Sequence, residues 1–194
     1  MRRIVAHISV SLDGYFEGPD GDIGWGLVDE ELHQHMNDEL RTRGAFLEGR
    51  RTYELMEAFW PTADQDPENA GAMAEFAGIW RDVPKIVYSR TLASVGPNAT
   101  LVRRVDAAEV RALQAEPGGD LVVGGADLVA EFRRLDLVDE YRLYVHPVLV
   151  GRGRQFFGPA DALTPLRLIE TRTFGNGVVM LRHERTRDRD ATTT

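Results

Sequence analysis

The first apolar segment of the chain alternates with a period of two residues. Ile4, Ala6, Ile8 and Val10 fall on one face, and polar or mixed residues occupy the positions between them. Because successive side chains of a strand point to opposite faces, this pattern predicts a strand with one face that is more apolar than the other. The glycine- and aspartate-rich residues 13–26 that follow are interpreted as a loop.

A helical pattern begins after that loop. Leu32, Met36 and Leu40 repeat at four-residue spacing, which places them on one side of a helix. Asp29 precedes the pattern and is of a residue type favoured at helix N-caps. Gly44 is interpreted as the residue that ends the helix.

Short apolar segments then alternate with further helical patterns. One such helix carries Met73, Phe76 and Trp80 on one face, and a later one carries Val129 and Phe132. This alternation is typical of an α/β fold in which crossover helices connect parallel strands. The strands predicted in this region are AFLE, KIVY, ATLVRRV and DLVVGG.

The last third of the chain lacks helical patterns. Its apolar segments are YRLYVHPVLV, LRLIETRTF and GVVMLRHER, separated by loops with glycine and proline, and they predict antiparallel strands at one edge of the sheet. The run from Tyr141 to Val150 is apolar enough for a strand at an interface. We predict a single domain over residues 1–184 and a disordered tail over residues 185–194.

Composition narrows the classes of function. The chain has 194 residues, 23 Lys and Arg against 31 Asp and Glu, a net charge of -8 and no cysteine. The negative charge disfavours nucleic acid as a partner, and the lack of cysteine excludes disulfides and thiolate sites, so we expect a cytoplasmic protein. No apolar run approaches the roughly 20 residues of a membrane span. His33 and His35 point to different faces of a helix, and no metal site is predicted.

Ligands of open α/β sheets bind beyond the carboxyl ends of the parallel strands. The residues that follow four predicted strands carry hydroxyl groups, arginines and glycines, which together suit a phosphorylated ligand. Two alternatives stay open, because paired glycines also occur in plain strand-to-helix turns and arginines are usually solvated. The four sets are Ser11–Gly14, Gly49–Thr52, Ser89–Thr91 and Gly124–Ala126.

The common nucleotide-binding motifs are absent. The stretch GRGRQF at 151–156 fails the third glycine of GxGxxG, and no GxxxxGK[ST] occurs. A Rossmann domain and a P-loop are therefore disfavoured.

The order and spacing of several short motifs resemble the dihydrofolate reductase superfamily, and more closely its branch containing the reductase domain of riboflavin biosynthesis and its stand-alone relatives. The resemblance covers about residues 2–184. It implies a three-layer α/β/α fold with a mostly parallel mixed sheet, NADPH as cofactor and a homodimer. The motifs are SLDGY at 11–15, DIGW at 22–25, GRRTYE at 49–54, VYSRTL at 87–92, VGGADLV at 123–129 and HPVLVGRGRQFF at 146–157.

The resemblance also implies roles for individual residues. The turn after AFLE is similar to the part of the family's fold that holds the cofactor phosphates. The turn after KIVY is similar to the part that contacts the 2′-phosphate, and the paired glycines are similar to those that approach the pyrophosphate. These sets are Gly49, Arg50, Arg51 and Thr52; Ser89, Arg90 and Thr91; and Gly124, Gly125 and Ala126.

Four more residues complete the predicted site. Trp25 resembles the tryptophan at the mouth of the substrate pocket, and Tyr53 is assigned to the same pocket. Asp13 is a candidate catalytic group near the nicotinamide, although Asp-Gly is also favoured in tight turns. The catalytic acid of the folate-reducing enzymes would fall at Glu30 or Glu31, of which Glu30 is the candidate catalytic residue. Polar residues such as Gln34 or His35 occupy the neighbouring positions that would grip a pterin.

We expect an NADPH-dependent oxidoreductase that acts on a small heterocyclic or conjugated C=N or C=O substrate. One alternative is a riboflavin-pathway reductase or dihydrofolate reductase proper. Another is a nucleotide- or flavin-binding protein without turnover.

Overall fold

A computed structural model describes residues 1–158 and 163–187 of the chain. It contains ten strands and five α-helices in those ranges, together with short 3-10 helices at Pro19–Gly21 and Trp60–Gln65. The strands are β1 Ile4–Ser11, β2 Tyr15–Glu17, β3 Ala45–Gly49, β4 Lys85–Tyr88, β5 Ala99–Val102, β6 Leu121–Gly124, β7 Glu140–His146, β8 Arg154–Gln155, β9 Leu166–Thr173 and β10 Val179–Arg185. The helices are α1 Glu30–Leu40, α2 Arg50–Phe59, α3 Ala72–Asp82, α4 Ala107–Ala115 and α5 Ala126–Arg134.

Eight strands form one sheet in the order β5-β4-β3-β6-β1-β7-β10-β9. All neighbouring pairs from β5 to β7 are parallel, whereas β10 runs antiparallel to both β7 and β9. The predicted α/β fold with a mostly parallel mixed sheet and antiparallel strands at its C-terminal edge is therefore confirmed. A small second sheet pairs β2 with β8 in antiparallel direction, and the loop interpretation of residues 13–26 missed the strand β2.

The prediction for the segment from Tyr141 to Val150 was wrong in one respect. Its strand, β7, is parallel to β1 and lies inside the sheet between β1 and β10. The helix α5 precedes β7 and provides the crossover that a parallel connection needs. Internal strands and interface strands are both apolar because their side chains are covered by other parts of the protein. The sequence pattern alone therefore did not distinguish the two.

Helices cover both faces of the sheet and create a core on each. On one face Ile4, Ala6 and Val10 of β1 pack with Phe132 of α5 and Val110 of α4. On the other face lie apolar residues of β3, β4, α1, α2 and α3, including Phe46, Phe76, Trp80 and Val87. The apolar face predicted for β1 is thus the one beneath α4 and α5.

The ends of α1 show one confirmed and one incorrect prediction. The Asp29 side chain accepts a hydrogen bond from the Leu32 N–H at 2.9 Å, as expected of an N-cap. Gly44, however, does not end the helix, which stops at Leu40. A Cβ at Gly44 would lie 2.4 Å from the carbonyl oxygen of Gly119, so close backbone packing explains this glycine.

Part of the predicted tail belongs to ordered structure. Arg185 is the last residue of β10, and the Arg187 guanidinium contacts the Asp139 carboxylate at 2.7 Å. Residues 188–194 of that tail lie outside the described residues. No described helix is long and apolar enough to cross a membrane.

Candidate functional site

Three of the predicted cofactor turns follow neighbouring strands. In the register of the sheet Gly49 lies beside Tyr88, and Glu48 lies beside Gly124. The turns after β4, β3 and β6 therefore leave the same edge of the sheet side by side. The structure brings together the residues predicted to hold the cofactor.

The first of these turns leads directly into α2. Its N-cap is Gly49. Because glycine has no side chain, the N-cap residue leaves the first backbone N–H groups of α2 without a capping hydrogen bond. Arg50 and Arg51 are exposed and form only long ion pairs, at 3.5 Å with Glu54 and at 3.8 Å with Glu17. Free N–H groups and two available guanidinium groups favour an anion here.

The paired glycines are explained by neighbours within the chain. A Cβ at Gly124 would lie 3.0 Å from both carboxyl oxygens of Glu48, and a Cβ at Gly125 would lie 2.5 Å from Oγ1 of Thr52. Gly125 also has a φ of +83°, which L side chains rarely adopt. Ala126 follows as the first residue of α5. The two glycines thus join the β6–α5 turn closely to the β3–α2 turn.

The turn after β4 is built around the Ser89 hydroxyl. Its oxygen accepts hydrogen bonds from the N–H groups of Thr91 and Leu92 at 3.2 and 3.0 Å. Arg90 is exposed in the same turn. Arg103, which was not among the predicted residues, donates to the carbonyl oxygens of Ser89 and Leu92. The two arginines directly after the ATLV strand were the signal that could have revealed it.

Asp13 connects two loops of the carboxyl edge. Its carboxylate accepts hydrogen bonds from the Ser11 hydroxyl at 2.6 Å, from the Val150 N–H at 3.1 Å and from the Gly151 N–H at 2.8 Å. The bond from Ser11, with those from the backbone, lowers the pKa of Asp13. These contacts make Asp13 an ionised acceptor that positions loops, and its catalytic role stays a prediction.

Glu30 and Tyr53 make structural contacts elsewhere. Oε1 of Glu30 accepts a hydrogen bond at 2.9 Å from the N–H of Ala72, at the start of α3. Tyr53 is buried against Trp80, and its hydroxyl accepts the Gly96 N–H at 2.8 Å. Neither is brought next to Trp25, which packs against His146 at the end of β7 with ring centroids 5.6 Å apart.

A family profile described as "RibD C-terminal domain" matches residues 2–180. The chain belongs to the RibD C-terminal domain family. Two Bacillus subtilis proteins are similar over 181 residues: YyaP is 33% identical, with 93% of each chain covered, and YwjB is 30% identical, with 91% of this chain and 95% of YwjB covered. Both carry the name "uncharacterized protein".

Solved structures share the RibD C-terminal domain fold. A putative riboflavin biosynthesis protein from Shewanella sp. PV-4 has a TM-score of 0.73 at 21% identity, covering 96% of this chain and 100% of that one. A deaminase/reductase from Thermotoga maritima has a TM-score of 0.66 at 16% identity, covering 95% of this chain and 57% of that longer one. The resemblance to riboflavin-type reductase domains is thereby confirmed.

Within this RibD-type domain, Glu48 is a buried polar residue that the sequence analysis missed. It is the next-to-last residue of β3, and its Oε2 has no hydrogen-bond partner among the described residues. Burial raises the pKa of Glu48 from 4.5 to about 8, so the carboxyl is mostly neutral at pH 7. A carboxylate interrupting the apolar run AFLEG was the signal in the sequence.

His146, which opens the HPVLVGRGRQFF motif but was not among the predicted site residues, lies at the carboxyl edge of the RibD-type domain. Its Nδ1 accepts the Leu27 N–H at 3.0 Å, while its Nε2 is buried without a partner among the described residues. Burial lowers the pKa of His146. The described residues contain no cluster of three side chains suited to a metal ion.

Proposed function

We propose that this chain is an NADPH-dependent reductase that acts on a small heterocyclic or conjugated C=N or C=O substrate. The observation that carries the proposal is the meeting of the Gly49–Thr52, Ser89–Thr91 and Gly124–Ala126 turns at one edge of the sheet. The membership of the RibD C-terminal domain family, which includes a reductase domain, supports the same reaction class.

The residues present suit a dinucleotide with an extra phosphate. Arg50 and Arg51 can approach phosphate oxygens beside the start of α2, because their own ion pairs are long and exposed. Arg90 lies in the turn assigned to the 2′-phosphate, where a guanidinium would favour NADPH over NADH. When bound, NADPH supplies the hydride, and the chain aligns it with the substrate and excludes water.

Dihydrofolate is a less suitable substrate for this site. The folate enzymes' acid would fall at Glu30 or Glu31, and both carboxylates are engaged by backbone N–H groups. Oε1 of Glu30 accepts the Ala72 N–H, and Oε2 of Glu31 accepts the Gly175 N–H at 3.1 Å. A pterin would have to share either carboxylate with the backbone. We therefore place the substrate among other small conjugated rings, such as riboflavin precursors.

The cofactor assignment is tested by titrating the protein with NADPH and with NADH. We expect Arg50→Ala and Arg90→Ala each to weaken NADPH binding by about 10-fold or more, since a hydrogen bond to a charged group contributes about 1.5–3 kcal/mol. Arg90→Ala should affect NADH far less. Arg134→Ala is the matched control, because Arg134 is an exposed arginine paired with Glu131 within α5.

Two results would overturn this assignment. One is the absence of NADPH binding by the unmodified chain, and the other is equal binding by all three variants. A yellow preparation that binds flavin in place of NADPH would favour the flavin-binding alternative. Binding of NADPH without turnover of any candidate ring would favour the nucleotide-binding alternative.

We also propose a homodimer that forms through β9. All eight residues of β9 are exposed, and it is hydrogen-bonded to the sheet on one side only, through β10. Leu168 and Leu166 are 54% and 40% exposed on this edge, where an unpaired strand invites pairing with a second copy. Light scattering should give the mass of two chains, and Leu168→Glu should give that of one. A monomeric wild type would contradict the proposal.

A further inference from the structure

Two buried nitrogen atoms at the carboxyl edge are not explained by the cofactor turns. Nε1 of Trp25 and Nε2 of His146 both lack a hydrogen-bond partner among the described residues. His146 is fully buried at the last position of β7, beside Ser11 of β1. The Trp25 and His146 rings meet edge-on, at an interplanar angle of 86°. The two atoms therefore belong to one small region at the centre of the sheet edge.

The hydrogen bond at the other ring nitrogen determines what His146 can do. Its Nδ1 accepts the Leu27 N–H, and an accepting nitrogen carries no proton. Burial disfavours the charged ring, so the neutral tautomer with its proton on Nε2 is the stable one. Leu27 is held from its other side as well, by Asn176, which donates to its carbonyl oxygen at 2.9 Å. His146 thus presents a fixed N–H donor.

An indole nitrogen is also a donor and never an acceptor. The region therefore contains two buried N–H groups that are both hydrogen-bond donors and cannot pair with each other. Leaving either of them unpaired costs free energy. Atoms that accept hydrogen bonds, such as a carbonyl oxygen or an unprotonated ring nitrogen, would satisfy both.

The surrounding loops indicate the rest of the ligand. Loop 12–28 and loop 147–151 are tied together by the bond from the Leu12 N–H to the Val148 carbonyl oxygen and by the contacts of Asp13. These loops and their junctions expose several large apolar side chains, which suit the faces of an uncharged ring. They are Leu12, Ile23, Leu27, Val28 and Leu149.

We propose that His146 and Trp25 form a donor pair that binds an acceptor atom of the reducible ring, and that this pair selects neutral heterocycles with an accepting oxygen or nitrogen atom over rings without one. The inference rests on the proposed reductase function and identifies its substrate-recognition residues. His146 acts in binding and orientation, while the proton that the product gains is not assigned to it.

The test uses lumazine, a neutral bicyclic ring with two carbonyl groups, and naphthalene, a bicyclic ring of the same size without hydrogen-bond acceptors. Calorimetric titration should show tighter binding of lumazine. His146→Phe, which keeps an aromatic ring but removes the donor, should weaken lumazine binding by about 10-fold or more and leave naphthalene binding unchanged. His146→Gln, which restores an N–H donor, should recover most of the affinity. Trp25→Phe should have a smaller effect in the same direction.

His183→Phe on β10 is the matched control and should bind lumazine like the unmodified chain. Nitrogen-15 NMR of the His146 ring gives an independent readout: Nε2 should carry the proton in the free protein, and its resonance should shift when lumazine binds. The proposal is overturned by lumazine binding to His146→Phe within about two-fold of wild type. Equal binding of the two rings, or no binding of lumazine at all, would overturn it too.

NADPH titrations of the same variants separate this proposal from the reductase proposal. His146→Phe should bind NADPH like the wild type, because its side chain lies outside the three cofactor turns. A chain that binds lumazine through His146 but does not bind NADPH would support the donor pair and overturn the reductase function.

Discussion

Glu140 and Glu48 are both buried glutamates of the same sheet, but their surroundings differ. Glu140 opens β7, is fully buried and forms ion pairs with Arg3, Arg142 and Arg182. Glu48 lies at the carboxyl end of β3, where it forms no ion pair with the described residues and burial alone raises its pKa. One carboxylate belongs to an ion-paired network of the scaffold, and the other lies at the edge where ligands of such sheets bind.

The two ends of the central strands differ in how their buried polar groups are paired. At the amino end of the central strands, arginines surround the carboxylate. At the carboxyl edge, polar atoms of Glu48, Trp25 and His146 are buried without partners among the described residues. Unpaired buried polar atoms cost stability and also occur elsewhere, for example at Asn37 and Arg142, so these three point to function through their position at the edge where ligands of such sheets bind.

The largest expected effect is at Glu140. Glu140→Gln removes the charge that three arginines share and leaves them facing one another in a buried site. We expect the free energy of unfolding to fall by about 3–5 kcal/mol, measured by urea unfolding at pH 7. Glu48→Gln should instead raise it at the same pH, by about 3 kcal/mol, because the folded glutamate is neutral whereas the unfolded one is ionised, and glutamine removes that difference. Equal losses in the two variants would refute the contrast.

An intermediate effect is expected at Gly124. Gly124→Ala places a Cβ against the Glu48 carboxyl, and we expect a loss of about 1–3 kcal/mol from overpacking. If Glu48 is the reason for the glycine, the loss should shrink in a Glu48→Ala background, which a double-mutant cycle measures. Fully additive losses would show that another neighbour requires this glycine. NADPH titration of the double variant then tests whether the phosphate also needs the glycine.

The smallest expected effect is the change in the free energy of unfolding over one unit of pH. The folded pKa of Glu48, about 8, lies above its ordinary value of 4.5, so the folded state binds one more proton than the unfolded state between these two values. Stability should therefore fall as pH rises through that window, by about 1.4 kcal/mol per unit, and level off above pH 8. The difference between wild type and Glu48→Gln isolates the slope, since both share all other groups. A constant difference from pH 5 to 8 would contradict a neutral Glu48.

Local sequence patterns predicted much of the fold, because strand periodicity and helix capping depend on residues that are close together in the sequence. The period of two over Ile4–Val10 identified β1 and its buried face, and Asp29 marked the start of α1. Strand pairing depends on distant residues instead. The position of β7 inside the sheet, and of β9 at its edge, therefore could not be read from two segments of similar apolar character.

The site divides in the same way. The rule that ligands bind at the carboxyl ends of parallel strands was sufficient to select three turns that the fold places together. Individual side chains were less predictable, because a carboxylate's role depends on which group it meets. Asp13 meets the loop at Val150 and Gly151, and Glu30 meets the start of α3. The catalytic roles assigned to both remain predictions.

By itself, the sequence determined the alternation of strands and helices, the parallel sheet and the turns from which a phosphate site can be built. These follow from periodicity, glycine and charge, which act over a few residues. Only the tertiary structure decided that Glu48 and the His146 Nε2 atom are buried without a partner among residues 1–158 and 163–187, that Gly124 makes room for Glu48, and that His146 lies beside Trp25. Burial and partnership are set by residues far apart in the chain, and these two conditions decide whether a polar side chain is available for chemistry.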